Sequence, residues 1–206
     1  MNNQFKKIIF LFLLIFTVAV YGQNQKEREH NLILNLKTNL INQNIDTYFT
    51  FRIIDHLTNH IEETSGKINV YQEYRTYIFW KCKDEYYVKK IDDKNEFKEV
   101  KIKKQNLYDF AFLNLKKIED EVIKPHSEKI NGEIIEIGTS DNFYAEFTFN
   151  NSINTFNKTI NLFDIEYSKE LPNCNYDYNK KLRATELYYL CLKATLKFEK
   201  EKIFKN

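Results

Sequence analysis

Hydrophobic and polar positions change their period several times along this chain, and each change marks an element. From Gln25 to about Asn44 the period is helical: Ile33, Leu36, Leu40 and Ile41 fall on one face, behind a charged opening of Lys26, Glu27, Arg28 and Glu29. Thr47 to Asp55 is dense in aromatic and β-branched residues, which predicts a strand. His56 to Thr64 reads as a short helix, closed by a turn at Ser65-Gly66. Period-two alternation then dominates Lys67 to Ile102. Turn residues at Lys83-Asp84-Glu85 and at Asp92-Asp93-Lys94-Asn95 divide this stretch into a three-stranded antiparallel meander.

Helical spacing returns over Asn106 to Ile123, where Leu107, Ala111, Leu115, Ile118 and Val122 make one stripe. Lys124-Pro125 ends it, because the residue before a proline avoids the helical region. Asn131-Gly132 predicts a turn, and Glu133 to Ile137 with Phe143 to Phe149 predict a hairpin around residues 138–142. Thr159 to Tyr167 reads as a last strand and Leu171 to Asn179 as a loop. Lys180 to Phe204 is the longest helix, with Ala184, Leu187, Cys191, Ala194 and Phe198 on one side. Strand runs separated by single helices predict an α+β fold. Its antiparallel sheet is built from hairpins and a meander, with an N-terminal helix, a central helix and a long C-terminal helix.

The first 22 residues follow a different logic. Lys6 and Lys7 precede an apolar run from Ile8 to Val20, and small residues stand near Gly22. This order of charged, apolar and small residues is that of a cleaved secretory signal peptide at 1–22, with cleavage expected between Gly22 and Gln23. The run falls short of the ~20 apolar residues that span a bilayer. The expected product is therefore one globular domain, 23–206, exported to the periplasm or the medium, with no transmembrane segment after cleavage. Without Lys6 and Lys7 it carries 29 basic and 29 acidic residues, so no overall basic field favours nucleic acid. Only 4 glycines occur, which argues against phosphate-cradling loops, and no cofactor is expected.

Few residues suggest chemistry. His56 and His60 stand at i and i+4 with Glu63 nearby, so a helix would bring both imidazoles to one face for a metal. Leu57 occupies the position where the metalloprotease motif carries its glutamate, and two surface polar residues on a short amphipathic turn are the better account of the pair. His126-Ser127-Glu128 is adjacent in sequence only, which a triad does not need, and reads as a turn. Three cysteines allow at most one internal disulfide, and Cys174 with Cys191 is the pair whose spacing suits closure. The alternative is three reduced thiols, with Cys82 and Cys191 packed as small hydrophobes.

Tyr74, Tyr77, Trp80, Tyr86 and Tyr87 crowd the meander. Alternation sends about half of such rings outward, where they would offer contact area to a protein or glycan. The competing account has them covering the sheet against helices. The last helix is basic and could rest on an anionic surface or an acidic partner, although lysines near its end also suit the helix dipole. Together these features predict an exported binding module of the accessory, inhibitor or immunity type. The alternatives are an envelope hydrolase working through His56 and His60, and a structural, self-associating domain.

Overall fold

The structure, a computed structural model, describes residues 30–64, 67–92, 95–103, 106–138 and 143–205; over 55–64, 67–74 and at 106 it describes the backbone alone. The expected leader at 1–22, the turn at Ser65-Gly66, Asp93-Lys94 and the centre of the 138–142 turn lie outside them. In chain order the elements are α1 (residues 30–42), β1 (Tyr48–Thr64), β2 (Lys67–Cys82), β3 (Glu85–Asp92), β4 (Val100–Ile102), α2 (Asn106–Leu113) and α3 (Leu115–Asp120). There follow β5 (Ser127–Ile130), β6 (Glu133–Glu136), β7 (Tyr144–Asn150), β8 (Thr155–Asn161), α4 (Leu162–Ile165), α5 (Tyr176–Asn179) and α6 (Arg183–Glu201). A six-stranded sheet runs β4-β3-β2-β1-β7-β8 with every pairing antiparallel, and β5-β6 forms a separate two-stranded sheet. The fold is α+β, with an N-terminal helix and a long C-terminal helix. Among the described residues no helix is long and apolar enough to cross a membrane.

Alternation along β1 splits the molecule into two cores. Phe49 and Phe51 point one way and stack on Phe79 and Phe147 of the neighbouring strands, at 4.9 and 5.1 Å between centroids. Leu107, Ile118, Leu187, Cys191 and Phe198 of α2, α3 and α6 cover that face. On the opposite face Tyr48, Ile78, Trp80 and Ile91 pack against Leu36 and Leu40 of α1. Burying each such ring or aliphatic chain contributes about 1.5–3 kcal/mol, so the two cores account for most of the driving force.

Several expectations change. His56 to Thr64 is not a helix: it continues β1 and pairs with β2 from Asn59↔Gln72 to Thr64↔Lys67, after an irregularity between Ile54 and Asn59. β7 reaches only Tyr48–Ile54 and β3 only Arg75–Cys82, so the far end of this hairpin extends as a two-stranded ribbon past the six-stranded sheet. Glu133–Glu136 pairs with β5 across Asn131-Gly132, and β7 pairs with β1, so the expected 133–137/143–149 hairpin does not form. The expected strand 159–167 starts earlier, at Thr155, and gives way to α4 at Leu162. Val122 lies beyond the end of α3 and is exposed.

α6 is fixed at both ends by carboxylates from elsewhere. Its first residues lack a side-chain cap of their own, and Glu121 supplies one: Arg183 N–H and Ala184 N–H donate to its two oxygens at 2.8 and 2.9 Å. Near the other end, Glu199 accepts from Tyr77 Oη at 2.8 Å and pairs with the buried Lys90 ammonium at 2.9 Å. Burial alone would raise the Glu199 carboxyl, but the hydrogen bonds from Lys90 and Tyr77 outweigh it and hold the group below the usual carboxylate range.

Two stability results follow from these anchors. Glu121→Ala should cost about 1–2 kcal/mol in urea unfolding, whereas Glu119→Ala, two residues earlier and exposed, should cost little. Burial raises the phenols of Tyr77, Tyr108 and Tyr188, the last to about 12. In the unfolded chain they ionise near ~10, so their contribution is fully present below that pH and lost as pH climbs through the folded values. Phenolate absorbance should therefore lag behind that of free tyrosine and then rise together with loss of circular dichroism. Phenolate appearing at ordinary tyrosine pH with the fold intact would contradict this.

Candidate functional site

The aromatic residues singled out on the meander are mostly interior. Tyr77, Trp80 and Tyr86 are only 1, 2 and 5% exposed, so they have no surface to offer a partner. Tyr77 donates to Glu199, Tyr86 donates to Asp109 at 2.9 Å, and Trp80 stacks on the half-buried Tyr87 at 5.6 Å. The reason is that helices cover both faces of the sheet at β1, β2 and β3, so alternation finds no open side there. Tyr74 and the pair His56 and His60 with Glu63 lie where the backbone alone is described. Their segment is strand rather than helix, so the helical face that would bring both imidazoles together does not form. Among the described residues no group of three or more His, Cys, Asp or Glu side chains could hold a metal ion. Cys174 is exposed, Cys191 is buried in the face of α6 toward the sheet, and both are free thiols here, as is Cys82.

The exposed tyrosines are instead gathered beyond the sheet, on the segment joining α4 to α6. Tyr167 and Tyr176 meet with centroids 5.3 Å apart, and Tyr167 is 56% exposed. Tyr189 on α6 is 46% exposed. Partial burial raises its phenol, and the charges of Tyr176 and Glu166 add to the effect. The Lys180 ammonium lies 4.9 Å over the Tyr176 ring while pairing with Asp177. Sequence reading missed this cluster because its members come from three elements with no shared period.

What holds the segment is a set of buried asparagines. Asn179, fully buried, accepts from Lys124 N–H at 3.0 Å and donates to Lys124 O and Asp164 O at 2.7 and 2.8 Å. Asn173 accepts from Ser127 N–H and Asn175 N–H and donates to Asp164 O at 2.7 Å. Asn175 donates to Pro125 O at 2.9 Å, and Cys174 N–H donates to Ser127 O at 2.7 Å. The His126 ring lies flat on Phe163, at 4.1 Å and 16°, and its backbone N–H donates to Asp164 Oδ1 at 2.9 Å. Each amide supplies both donors and acceptors, so loops that lack a ladder of their own are cross-tied through side chains. The tyrosines are thereby displayed on a stiff support.

A recess of about 380 Å³ opens nearby, lined by Glu121, Tyr144, Lys158, Asn161 and Asp164. Burial lowers the Lys158 ammonium and raises the Asp164 carboxyl, a pattern that marks functional candidates. Here each group already serves the chain's own backbone: Lys158 donates to Glu121 O, Asp164 accepts from His126 N–H, and Glu121 caps α6. Such an arrangement makes the recess a joint between elements rather than a place for acid–base chemistry. Comparison with known proteins adds no name: no family model, curated protein or solved structure matches the chain.

Asn179→Ala would strand two backbone groups, Lys124 N–H and Lys124 O, each worth about 1–3 kcal/mol when left unsatisfied, and would leave Asp164 O with Asn173 as its donor, so a loss of at least about 2 kcal/mol is expected. Hydrogen exchange at the Lys124 amide should accelerate more than exchange in β1. Equal acceleration everywhere would show that the network does not act locally.

Proposed function

We propose that this chain is an exported, non-catalytic binding module that engages a protein or glycan outside the cytoplasm. The N-terminal order of charge, apolar run and small residues supports export. The observation that carries the binding reading is the tyrosine cluster of Tyr167, Tyr176 and Tyr189 on its asparagine-tied support. Tyrosines supply broad contact area with only two rotatable side-chain angles, so little freedom is lost on binding. Held at the surface by a buried framework, they need little reordering to meet a partner. Tyr77, Trp80 and Tyr86 of the meander drop out of this reading, because their rings are inside.

Immobilised protein starting at Gln23, exposed to envelope and culture-fluid extracts and in parallel to a glycan array, tests the proposal. One near-stoichiometric partner or one glycan class should be retained. Changing Tyr167, Tyr176 and Tyr189 together to Ala should abolish retention, while the folded Tyr178→Ala variant should keep it. Retention that survives the triple change would remove these tyrosines from the binding site. A blank on both supports, with the protein folded, would overturn the binding reading.

A further inference from the structure

The last 27 residues carry charge that the rest of the chain does not balance locally. From Lys180 onward there are eight basic residues against three acidic ones, a net of +5, whereas the whole chain carries +2. Lys180, Arg183 and Lys197 pair with Asp177, Glu186 and Glu201, and Glu199 is taken inward by Lys90. That leaves Lys181, Lys193, Lys200, Lys202 and Lys205, all exposed and without an acidic partner among the described residues. Lys193 and Lys200 share one stripe of α6 with Leu196, which is 60% exposed between them. The helix dipole explains lysines in the last turn, but Lys193 lies two turns before the end, beyond its reach.

We propose that the outer face of the C-terminal half of α6, with the tail that follows, docks on an anionic lipid surface. The inference stands apart from the tyrosine cluster and uses none of its residues. A protein partner is the less fitting occupant: a helix face is convex, and this one offers a single large aliphatic side chain, whereas protein interfaces bury about 800 Å² per side around central anchors. A lipid headgroup surface requires no pocket. It rewards closely spaced lysines whose stems lie along an apolar neighbour such as Leu196, and their ammonium groups reach the phosphates. α6 is held rigidly by Glu121 and Glu199, so the lysines are presented together rather than assembled on contact.

The test is co-sedimentation with unilamellar vesicles of phosphatidylcholine alone and of phosphatidylcholine with one-third phosphatidylglycerol. The protein starts at Gln23, because residues 30–205 by themselves build both cores and the leader would insert on its own. Binding to the anionic vesicles only, lost at high salt, is expected. The Lys193→Glu/Lys200→Glu/Lys202→Glu variant should lower partitioning roughly 100-fold or more. Lys83→Glu/Lys103→Glu/Lys129→Glu changes the net charge equally on exposed positions elsewhere and should lower it far less. Circular dichroism checks that both variants are folded. Failure of the unaltered protein to sediment with anionic vesicles at low salt would overturn the proposal, and would leave an acidic protein as the counterpart to seek. Equal loss in the two variants would overturn it too, by reducing the effect to net charge.

Discussion

A slip of β1 by one residue against β2 or β7 would exchange the faces of the whole sheet. Phe49 and Phe51 would turn toward α1, and Tyr48 and Thr50 toward α6, so both cores would lose their partners together. The pairings Phe49↔Phe79 and Phe49↔Phe149 on one strand row, and Phe51↔Tyr77 and Phe51↔Phe147 on the next, fix the register with large rings on both sides. Such cross-strand pairs stabilise a sheet beyond simple burial, because stacked rings fit only one alignment. Everything else is placed relative to that central strand. Helices α2, α3 and α6 lie where the phenylalanine face needs cover, and α1 covers the other.

Burying both faces of β1, β2 and β3 leaves the meander with no side on which to build a site, and the exposed tyrosines come from α6 and from the connections. The longest of these, between α4 and α6, has little regular structure and would be loose if its backbone groups met only water. Asn173, Asn175 and Asn179 change that by bonding to Lys124, Pro125 and Ser127, about 50 positions away, and to Asp164 on α4 just before the segment. Asparagine suits this task because one small side chain donates and accepts at once. The consequence is a segment that behaves as part of the core while carrying Tyr167 and Tyr176 outward.

How far the sequence could be read follows from which interactions are local. The meander, α1 and the sheet-facing stripe of α6 were legible, since their period records burial on one face: Leu36 and Leu40, and Ala184, Leu187, Cys191 and Phe198, are buried as the spacing implies. Ile41 shares the α1 stripe on paper but is exposed, because it sits one residue round the helix from the buried Leu40, at the edge of that stripe. His56 to Thr64 looks helical by composition, and becomes strand because Lys67 to Gln72 offers it a ladder across a short connection. Strand pairing beyond neighbours, such as β1 with β7, leaves no trace in a single period. The tyrosine cluster was illegible for the same reason: its cohesion comes from asparagines whose partners lie 9 to 55 positions away.

Fixing α6 has an effect on the face that never touches the core. Glu121 caps its first turn from the end of α3, and Lys90 with Tyr77 hold Glu199 near its last turn, so the helix is bound to α3 at one end and to the sheet at the other, about four turns apart. A helix tied only by its apolar stripe can shift or rotate slightly at small cost, carrying its outer residues with it. One tied by charged hydrogen bonds at both ends cannot, since any rotation breaks bonds to a buried lysine or exposes uncapped N–H groups. The outer positions are therefore fixed relative to one another: Tyr189 toward the α5 side, and Lys193, Leu196 and Lys200 along the rest. The same half-buried carboxylates that stabilise the fold thus determine how rigidly its outer surface is presented.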